Sequence, residues 1–224
     1  MTTNSRLTFE EWRKVVPPVR DEVDVLPKHV DIEDLCDALR EIDTPIVMEG
    51  ARYVGKTFTT RIVSERLVRH VLTAGKTIKE RKQVMGIDRP DRATHKTGSA
   101  DYEDFDLSVA QSHLWMLDTI RQLGISPILD RTLTSSMWFQ HTVSLPHWFL
   151  WCQQMIDSGI VLVYLSAPSE TIHWRRCEAR KQDFHALRME TRGYVEMMRR
   201  VPDTVNLWPI AVENSVSPDS LTCE

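Results

Sequence analysis

The sequence predicts an α/β protein in which helices cover both faces of a parallel central sheet. Along residues 44–224, short apolar runs alternate with stretches of helical periodicity, and apolar runs of this kind are typical of strands buried in a parallel sheet. A turn with two glycines, at residues 50–57, separates the first apolar run from the first long helical pattern. The composition permits such a core, because 42% of the 224 residues are hydrophobic and 27% are charged.

Residues 1–43 are predicted to form a helical N-terminal extension that precedes the main domain at residues 44–224. Thr8 suits the N-cap of a first helix, which the pair Pro17-Pro18 follows and ends. Asp31 suits the N-cap of a second helix over residues 32–42, where apolar side chains recur at helical spacing.

Four apolar runs are the predicted strands of the main domain, and two helical patterns separate the first three of them. The predicted strands cover residues 45–48, 125–129, 159–165 and 205–212, and the predicted helices cover residues 57–72 and 107–123. Pro127 lies inside the second run and has no N–H for a sheet ladder, which makes that strand the weakest match to the pattern.

Composition and charge argue against several classes of protein. The 28 basic and 32 acidic residues give a net charge of −4, which is not that of a general nucleic-acid binder. Apolar runs stay well below the ~20 residues of a membrane helix, and the N-terminus lacks the apolar stretch of a signal peptide. The four cysteines form no C-x-x-C pair, so we expect reduced thiols and a cytoplasmic protein without membrane contact.

The glycine turn matches the phosphate-binding loop (P-loop) pattern G-x-x-x-x-G-K-[ST] at every fixed position. Its residues are Gly50, Ala51, Arg52, Tyr53, Val54, Gly55, Lys56 and Thr57. In this pattern successive main-chain N–H groups surround the β-phosphate, the lysine reaches the β and γ oxygens, and the hydroxyl binds Mg²⁺. Because a predicted strand precedes the loop and a predicted helix follows it, we expect residues 50–57 to bind ATP with Mg²⁺.

A second motif follows the strand predicted at residues 125–129. Residues 130–140 read D-R-T-L-T-S-S-M-W-F-Q, and together with Glu49-Gly50 at the start of the P-loop they resemble thymidylate kinases, whose typical segment is D-R-[YH]-x-x-S-S-x-x-[YF]-Q. The resemblance spans about residues 45–215. It implies a P-loop kinase fold, ATP-dependent phosphorylation of a pyrimidine deoxynucleotide (dTMP or a modified analogue) and a homodimer.

The resemblance also implies roles for individual residues. Asp130 would hold Mg²⁺ or its water together with Thr57, and Arg131 would grip the acceptor phosphate or the phosphoryl group in transfer. A lid at about residues 175–185 would bring Arg176 and Arg180 over that group, although residues four apart on a helix are also common on a solvated basic face. The side chains expected to line the nucleoside pocket are Phe105, which would stack on the base, and Ser135, Ser136, Phe139 and Gln140.

Three positions depart from the family pattern. The acidic residue inside the family's P-loop is replaced by Arg52, and the arginine that reads the thymine edge is replaced by Val109. The lid is short, with little between Arg180 and Asp183. The first two changes affect base and sugar recognition and leave phosphate binding intact, so the acceptor could be a modified nucleotide or a larger molecule.

Residues 69–96 hold eight basic and three acidic residues, a local charge of +5. Most basic stretches of this kind are solvent-exposed loops without a binding role. The alternative is a positively charged opening of the site that binds a polyanionic acceptor such as DNA. Glu80 within this stretch is a candidate base for a hydroxyl acceptor, because a hydroxyl must lose its proton and a phosphate acceptor need not. With Val109, these features leave open a kinase for a hydroxyl on a deoxynucleoside or on a hydroxymethylpyrimidine base in DNA. Arg52 and the short lid leave open a second alternative, a nucleotide-binding regulator without catalysis.

Overall fold

The fold is described by a computed structural model that covers residues 6–73, 100–135 and 142–213. A six-stranded sheet runs through these ranges, and all of its neighbouring strands pair in parallel. Its strands are β2 (Lys28–Asp31), β3 (Ile46–Glu49), β4 (Val71–Thr73), β5 (Ile128–Asp130), β7 (Val161–Ser166) and β8 (Asn206–Glu213), and their order is β2-β8-β7-β3-β5-β4.

The P-loop strand β3 lies inside this sheet, between β5 and β7. All four residues of β3 are buried, as the continuous apolar run predicts for a strand covered on both faces. The carboxyl ends of the three strands therefore meet at one edge of the sheet, where open α/β sheets bind ligands.

Helices lie on both faces of the sheet. They are α1 (Phe9–Val15), α2 (Ile32–Arg40), α3 (Lys56–Leu67), α4 (Ala100–Leu123), α5 (Leu145–Asp157), α6 (Glu170–Ala179) and α7 (Phe184–Met198). Right-handed crossovers put α2 and α3 on one face, and α4, α5 and α7 on the other. In agreement, α2 packs on α3 and α4 packs on α5. The α/β class and the parallel sheet predicted from the sequence are confirmed.

The structure adds strands to the N-terminal segment that the sequence predicts as helical. Both predicted helices are present: the Thr8 hydroxyl accepts from the N–H of Glu11 to cap α1, and Asp31 accepts from the N–H of Glu33 to cap α2. However, β2 is the edge strand of the main sheet, and β1 (Arg6–Thr8) pairs with β6 (Thr142–Ser144). The helical description of residues 1–43 is therefore incomplete, because alternation in such short strands is too brief to be recognised from sequence.

Helix α1 packs into the main core through a group of tryptophans. The rings of Trp12 and Trp148 pack edge to face with their centroids 5.0 Å apart. The ring centroids of Trp148 and Trp151, both on α5, are 5.2 Å apart. All three rings are buried, and the Arg200 guanidinium lies over the Trp12 ring at 5.3 Å. The N-terminal segment thus shares one hydrophobic core with the rest of the chain.

Several predicted boundaries move in the structure; helix α4, for example, begins at Ala100 instead of residue 107. Helix α3 ends at Leu67 instead of residue 72, because Val68 takes a left-handed conformation and residues 71–73 form β4. Strand β5 begins at Ile128, so Pro127 precedes it and removes no ladder donor.

Among the described ranges, no helix combines the length and the apolar character needed to cross a membrane.

Candidate functional site

The P-loop turns sharply at its first glycine. Gly50 has φ of 149°, and a Cβ at this position would lie 2.4 Å from the carbonyl oxygen of Leu165 on β7. Gly55, the last residue before α3, has φ of 102°. Both positions therefore require glycine, one because of close packing against β7 and both because of their backbone angles.

Helix α3 begins at Lys56, within the 50–57 motif, and its N-cap Gly55 offers no side chain to cap it. The first N–H groups of a helix lack intrahelical partners and carry the positive end of the helix dipole. The start of α3 is thus suited to bind an anion. Thr57, the second residue of α3, is exposed at this end, where its hydroxyl can reach a ligand.

Lys56 and Asp130 form an ion pair between the P-loop and the end of β5. The Nζ of Lys56 lies 2.9 Å from Oδ1 of Asp130, and the two side chains are only 4% and 14% exposed. Burial lowers the pKa of Lys56, the positive charge of Arg131 lowers it further, and Asp130 opposes both effects. Both cations thus belong to the same end of the sheet, since Arg131 directly follows Asp130 in the chain.

Arg131 follows β5 in a left-handed backbone conformation, with φ of 71°. Its N–H donates to the carbonyl of Met48 on β3 at 3.1 Å, which fixes the turn beside the P-loop strand. Strained backbone of this kind costs about 1–2 kcal/mol for a residue with a side chain, and it tends to occur at functional sites.

Glu49, the last residue of β3, fixes the turn after β5 through hydrogen bonds to its carboxylate. Its carboxylate is fully buried and accepts three hydrogen bonds: from the N–H of Thr132 at 2.7 Å, from the Thr132 hydroxyl at 2.7 Å and from the Ser135 hydroxyl at 2.6 Å. The Ser135 hydroxyl also lies 2.7 Å from the Tyr194 hydroxyl on α7. Burial and the nearby Glu49 charge raise the pKa of Tyr194 well above its usual value, so this phenol stays protonated.

Ser135 therefore sits 3% exposed within a hydrogen-bonded network. The sequence predicted that it lines the nucleoside pocket, and that role stays a prediction. In the described structure its hydroxyl contacts Glu49 and Tyr194, both of which are buried protein groups.

Arg52, at the position where the resembling family carries an acid, has a buried acidic partner. Its main-chain N–H donates to Oε1 of Glu190 at 2.8 Å, and its Nε donates to Oε2 of the same carboxylate at 2.7 Å. The Arg52 carbonyl accepts from Nε2 of His173 at 2.8 Å. Sequence reasoning missed Glu190 and His173, because neither belongs to a motif of fixed spacing. The sequence alone shows only a glutamate one helical turn before Tyr194.

The two predicted lid arginines differ in their surroundings. Arg176 is half-buried beside the P-loop: its Nη1 donates to the Tyr53 carbonyl at 3.3 Å and lies 3.3 Å from where a Cβ on Gly55 would be. Burial lowers the pKa of Arg176. Arg180 is the exposed C-cap of α6, and no contact joins its side chain to the loop in the described ranges. The catalytic roles expected for both arginines stay predictions.

Several predicted site residues cannot be placed by the described structure. Glu80, Ser136, Phe139 and Gln140 lie outside the described residues, as does most of the basic stretch at residues 69–96. Arg69, the first residue of that stretch, donates to the carbonyls of Thr44 and Ile42 and so joins the segment after α3 to the segment before β3. Phe105 belongs to α4, on which Val109 is buried.

The oxygen donors near the loop suit a magnesium ion. Mg²⁺ prefers a few carboxylate or hydroxyl oxygens together with phosphate and water. The Thr57 hydroxyl is exposed at the start of α3, and Asp130 is partly exposed at the end of the neighbouring strand. The residues present therefore fit the ion that the P-loop pattern implies.

Comparison with known proteins gives likenesses to solved structures only. No family model and no curated protein matches the chain. Among solved structures, the chain is similar to a shikimate kinase from Acinetobacter baumannii in complex with shikimate, at 14% sequence identity and a TM-score of 0.45, covering 81% of this chain and 89% of that chain. Independently of that likeness, the parallel sheet and the loop at residues 50–57, which lies between β3 and α3, show an α/β fold with a P-loop.

Proposed function

We propose that this protein is an ATP-dependent phosphotransferase of thymidylate-kinase type, whose acceptor is a pyrimidine deoxynucleotide such as dTMP or a modified analogue. The main support is the convergence of two cations beside a P-loop. Lys56 contacts Asp130 at 2.9 Å, and Arg131, the next residue, is bonded through its main-chain N–H to the carbonyl of Met48 on the P-loop strand at 3.1 Å. Positive charge around the phosphoryl group is the main requirement that such a transfer places on a protein.

The donor side of the site is formed by the P-loop and the start of α3. Main-chain N–H groups of the loop bind the β-phosphate, and the Lys56 ammonium binds the β and γ oxygens in exchange for Asp130. Thr57 and Asp130 would hold Mg²⁺, which would supply further positive charge for the phosphates. The burial of Lys56 strengthens these interactions, because the attraction between opposite charges is screened less where little water is present.

The acceptor side is formed by the turn after β5. A phosphate oxygen of the acceptor attacks the γ-phosphorus of ATP, the new P–O bond forms, and the bond to the β–γ bridging oxygen breaks with ADP leaving. The acceptor phosphate is already ionised, so the reaction needs no protein base. Arg131 would hold the acceptor phosphate, since a guanidinium pairs with two oxygens at once.

The proposal is tested by a phosphate-transfer screen with radiolabelled ATP and Mg²⁺. Deoxynucleoside monophosphates, free deoxynucleosides and DNA that contains hydroxymethylpyrimidines are offered side by side. We expect labelled diphosphate from a pyrimidine deoxynucleotide, and an Arg131→Met variant should lose this product while still binding MgATP in calorimetry.

Other products would replace this proposal by a different one. Label on a deoxynucleoside or on DNA would show a hydroxyl acceptor, and Glu80→Gln would then test the candidate base. Tight MgATP binding with transfer to none of the acceptors would support a nucleotide-binding regulator.

A further inference from the structure

The tip of the P-loop, residues Arg52 and Tyr53, is held by the two helices that follow β7. Four hydrogen bonds reach these two residues: two from the loop to Glu190 on α7, one from His173 on α6 and one from Arg176 on α6. Three of the four involve main-chain groups of the loop. Such bonds fix the path of the backbone regardless of which side chains the loop carries.

This segment needs external support, because its backbone is strained. Tyr53 has φ of 63°, a left-handed conformation that costs a residue with a side chain about 1–2 kcal/mol. A strained residue keeps its conformation only where its surroundings impose it. A P-loop also binds phosphate through its main-chain N–H groups, so their directions depend on this same backbone.

Glu190 is the central support among these contacts. It is 2% exposed, and both of its oxygens contact the single residue Arg52, one through the main chain and one through the side chain. A buried carboxylate is costly unless such bonds satisfy it, so Glu190 and the loop tip fix each other. Tyr194, one helical turn further along α7, contacts Ser135 and thereby reaches the turn after β5.

We propose that Glu190 is a positioning residue, which holds residues 52–53 of the P-loop in the conformation that binds phosphate by accepting the main-chain N–H of Arg52. The proposal rests on the proposed function only in that the loop binds a triphosphate. The Arg52 side chain then serves mainly to neutralise Glu190. Helix α7 acts on the donor site through this contact and on the acceptor turn through Tyr194.

Two matched double variants isolate the main-chain hydrogen bond. Arg52→Met/Glu190→Gln removes both charges and keeps a side-chain oxygen that can accept from the N–H of residue 52. Arg52→Met/Glu190→Met removes both charges and that oxygen, with nearly the same side-chain volume. Replacing a buried ion pair by apolar side chains is often neutral for stability, so both variants are expected to fold.

The first measurement is hydrogen–deuterium exchange of the peptide covering residues 50–57, in the absence of any ligand. We expect exchange near that of the wild type in the Met/Gln variant and about 10-fold faster exchange in the Met/Met variant, as the loss of one hydrogen bond to a buried group implies. Calorimetry with MgATP should show about 10-fold weaker binding for Met/Met alone. Glu170→Ala is the control, because it removes an exposed ion pair between α6 and α7, Glu170 to Arg188, without touching the loop.

Equal exchange in the two double variants would overturn the positioning role, and so would equally fast exchange in Glu170→Ala. The exchange measurement uses no nucleotide, so it decides the inference even if the wild type proves not to bind ATP. That latter result would instead remove the proposed function.

Discussion

The ammonium of Lys56 lies 2.9 Å from the carboxylate of Asp130, and this contact joins the P-loop to the end of a neighbouring strand 74 residues away. The Lys56 side chain is only 4% exposed. Its charge needs a partner when phosphate is absent, because an unpaired buried charge is strongly unfavourable. Asp130 provides that partner.

The pairing predicts separate effects on activity and stability. Lys56→Met should lower phosphate transfer by about 10³-fold, because it removes a donor aimed at the transferring group. It should also destabilise the protein by about 2 kcal/mol, since Asp130 loses its partner at a site only 14% exposed. The double variant Lys56→Met/Asp130→Asn should recover the stability and none of the activity, as measured by chemical denaturation and initial rates. An unchanged rate in Lys56→Met would contradict the assignment of the site.

Asp130 should also set the pH range over which the loop binds nucleotide. Burial and Arg131 lower the pKa of Lys56, and Asp130 raises it. Asp130→Asn removes the raising effect, so the folded-state pKa of Lys56 falls further and its charge is lost at a lower pH. MgATP affinity, measured by calorimetry from pH 7 to 10, should therefore decline at lower pH in this variant than in the wild type. Asp118→Asn, which alters an ion pair with Arg121 on α4, should leave the profile in place.

The buried Glu49 should be among the most sensitive positions of the sheet edge. Glu49→Ala leaves the Thr132 N–H and two hydroxyls without their acceptor, at a cost of about 3 kcal/mol or more. Thermal unfolding followed by circular dichroism should show a melting temperature lower by roughly 6–12 °C. Glu178→Ala, an exposed position on α6, should change it by less than about 2 °C. Similar small shifts in both variants would show that the Glu49 network does not stabilise the fold.

Val68 offers a stabilising substitution far from the chemistry. It is the C-cap of α3, with φ of 54° and 91% exposure, and its branched side chain makes that conformation unfavourable. Val68→Gly should raise the free energy of unfolding by about 1 kcal/mol with no change in transfer rate, because glycine adopts left-handed angles without steric cost. The matched change Val19→Gly, at an exposed position with ordinary φ, should give no gain. A loss of stability in Val68→Gly would refute the strain argument.

His113 predicts how stability responds to acid. It is 4% exposed on α4, and burial lowers its pKa from 6.5 to about 4. Between these values the unfolded chain binds the proton and the folded chain does not, so this contribution to stability is complete above pH 6.5 and is lost as the pH falls towards 4. The free energy of unfolding should fall by about 2 kcal/mol more between pH 7 and pH 5 in the wild type than in His113→Leu. His185→Gln, at an exposed position, should behave like the wild type.

Local patterns in the sequence were sufficient to predict the elements that carry the site. The spacing of Gly50, Gly55 and Lys56 fixes a loop between a strand and a helix, and the structure confirms both neighbours. Asp130 and Arg131 were predicted at the end of a strand and lie there, beside Lys56. These features depend on residues close together in the chain, and the alternation of strands and helices then determines which strand ends meet.

The tertiary structure decided which distant groups support these motifs. Glu190 accepts from Arg52, His173 donates to Arg52 and Glu49 accepts from Thr132, and these bonds join positions 138, 121 and 83 residues apart. The tertiary structure also decided that Arg176 contacts the loop while Arg180 is exposed to solvent, although the two residues are only four positions apart. A single sequence shows the period of a helix, but the face that the helix turns towards a particular loop depends on packing across the whole domain. The same packing brings the buried carboxylates to their hydrogen-bond partners.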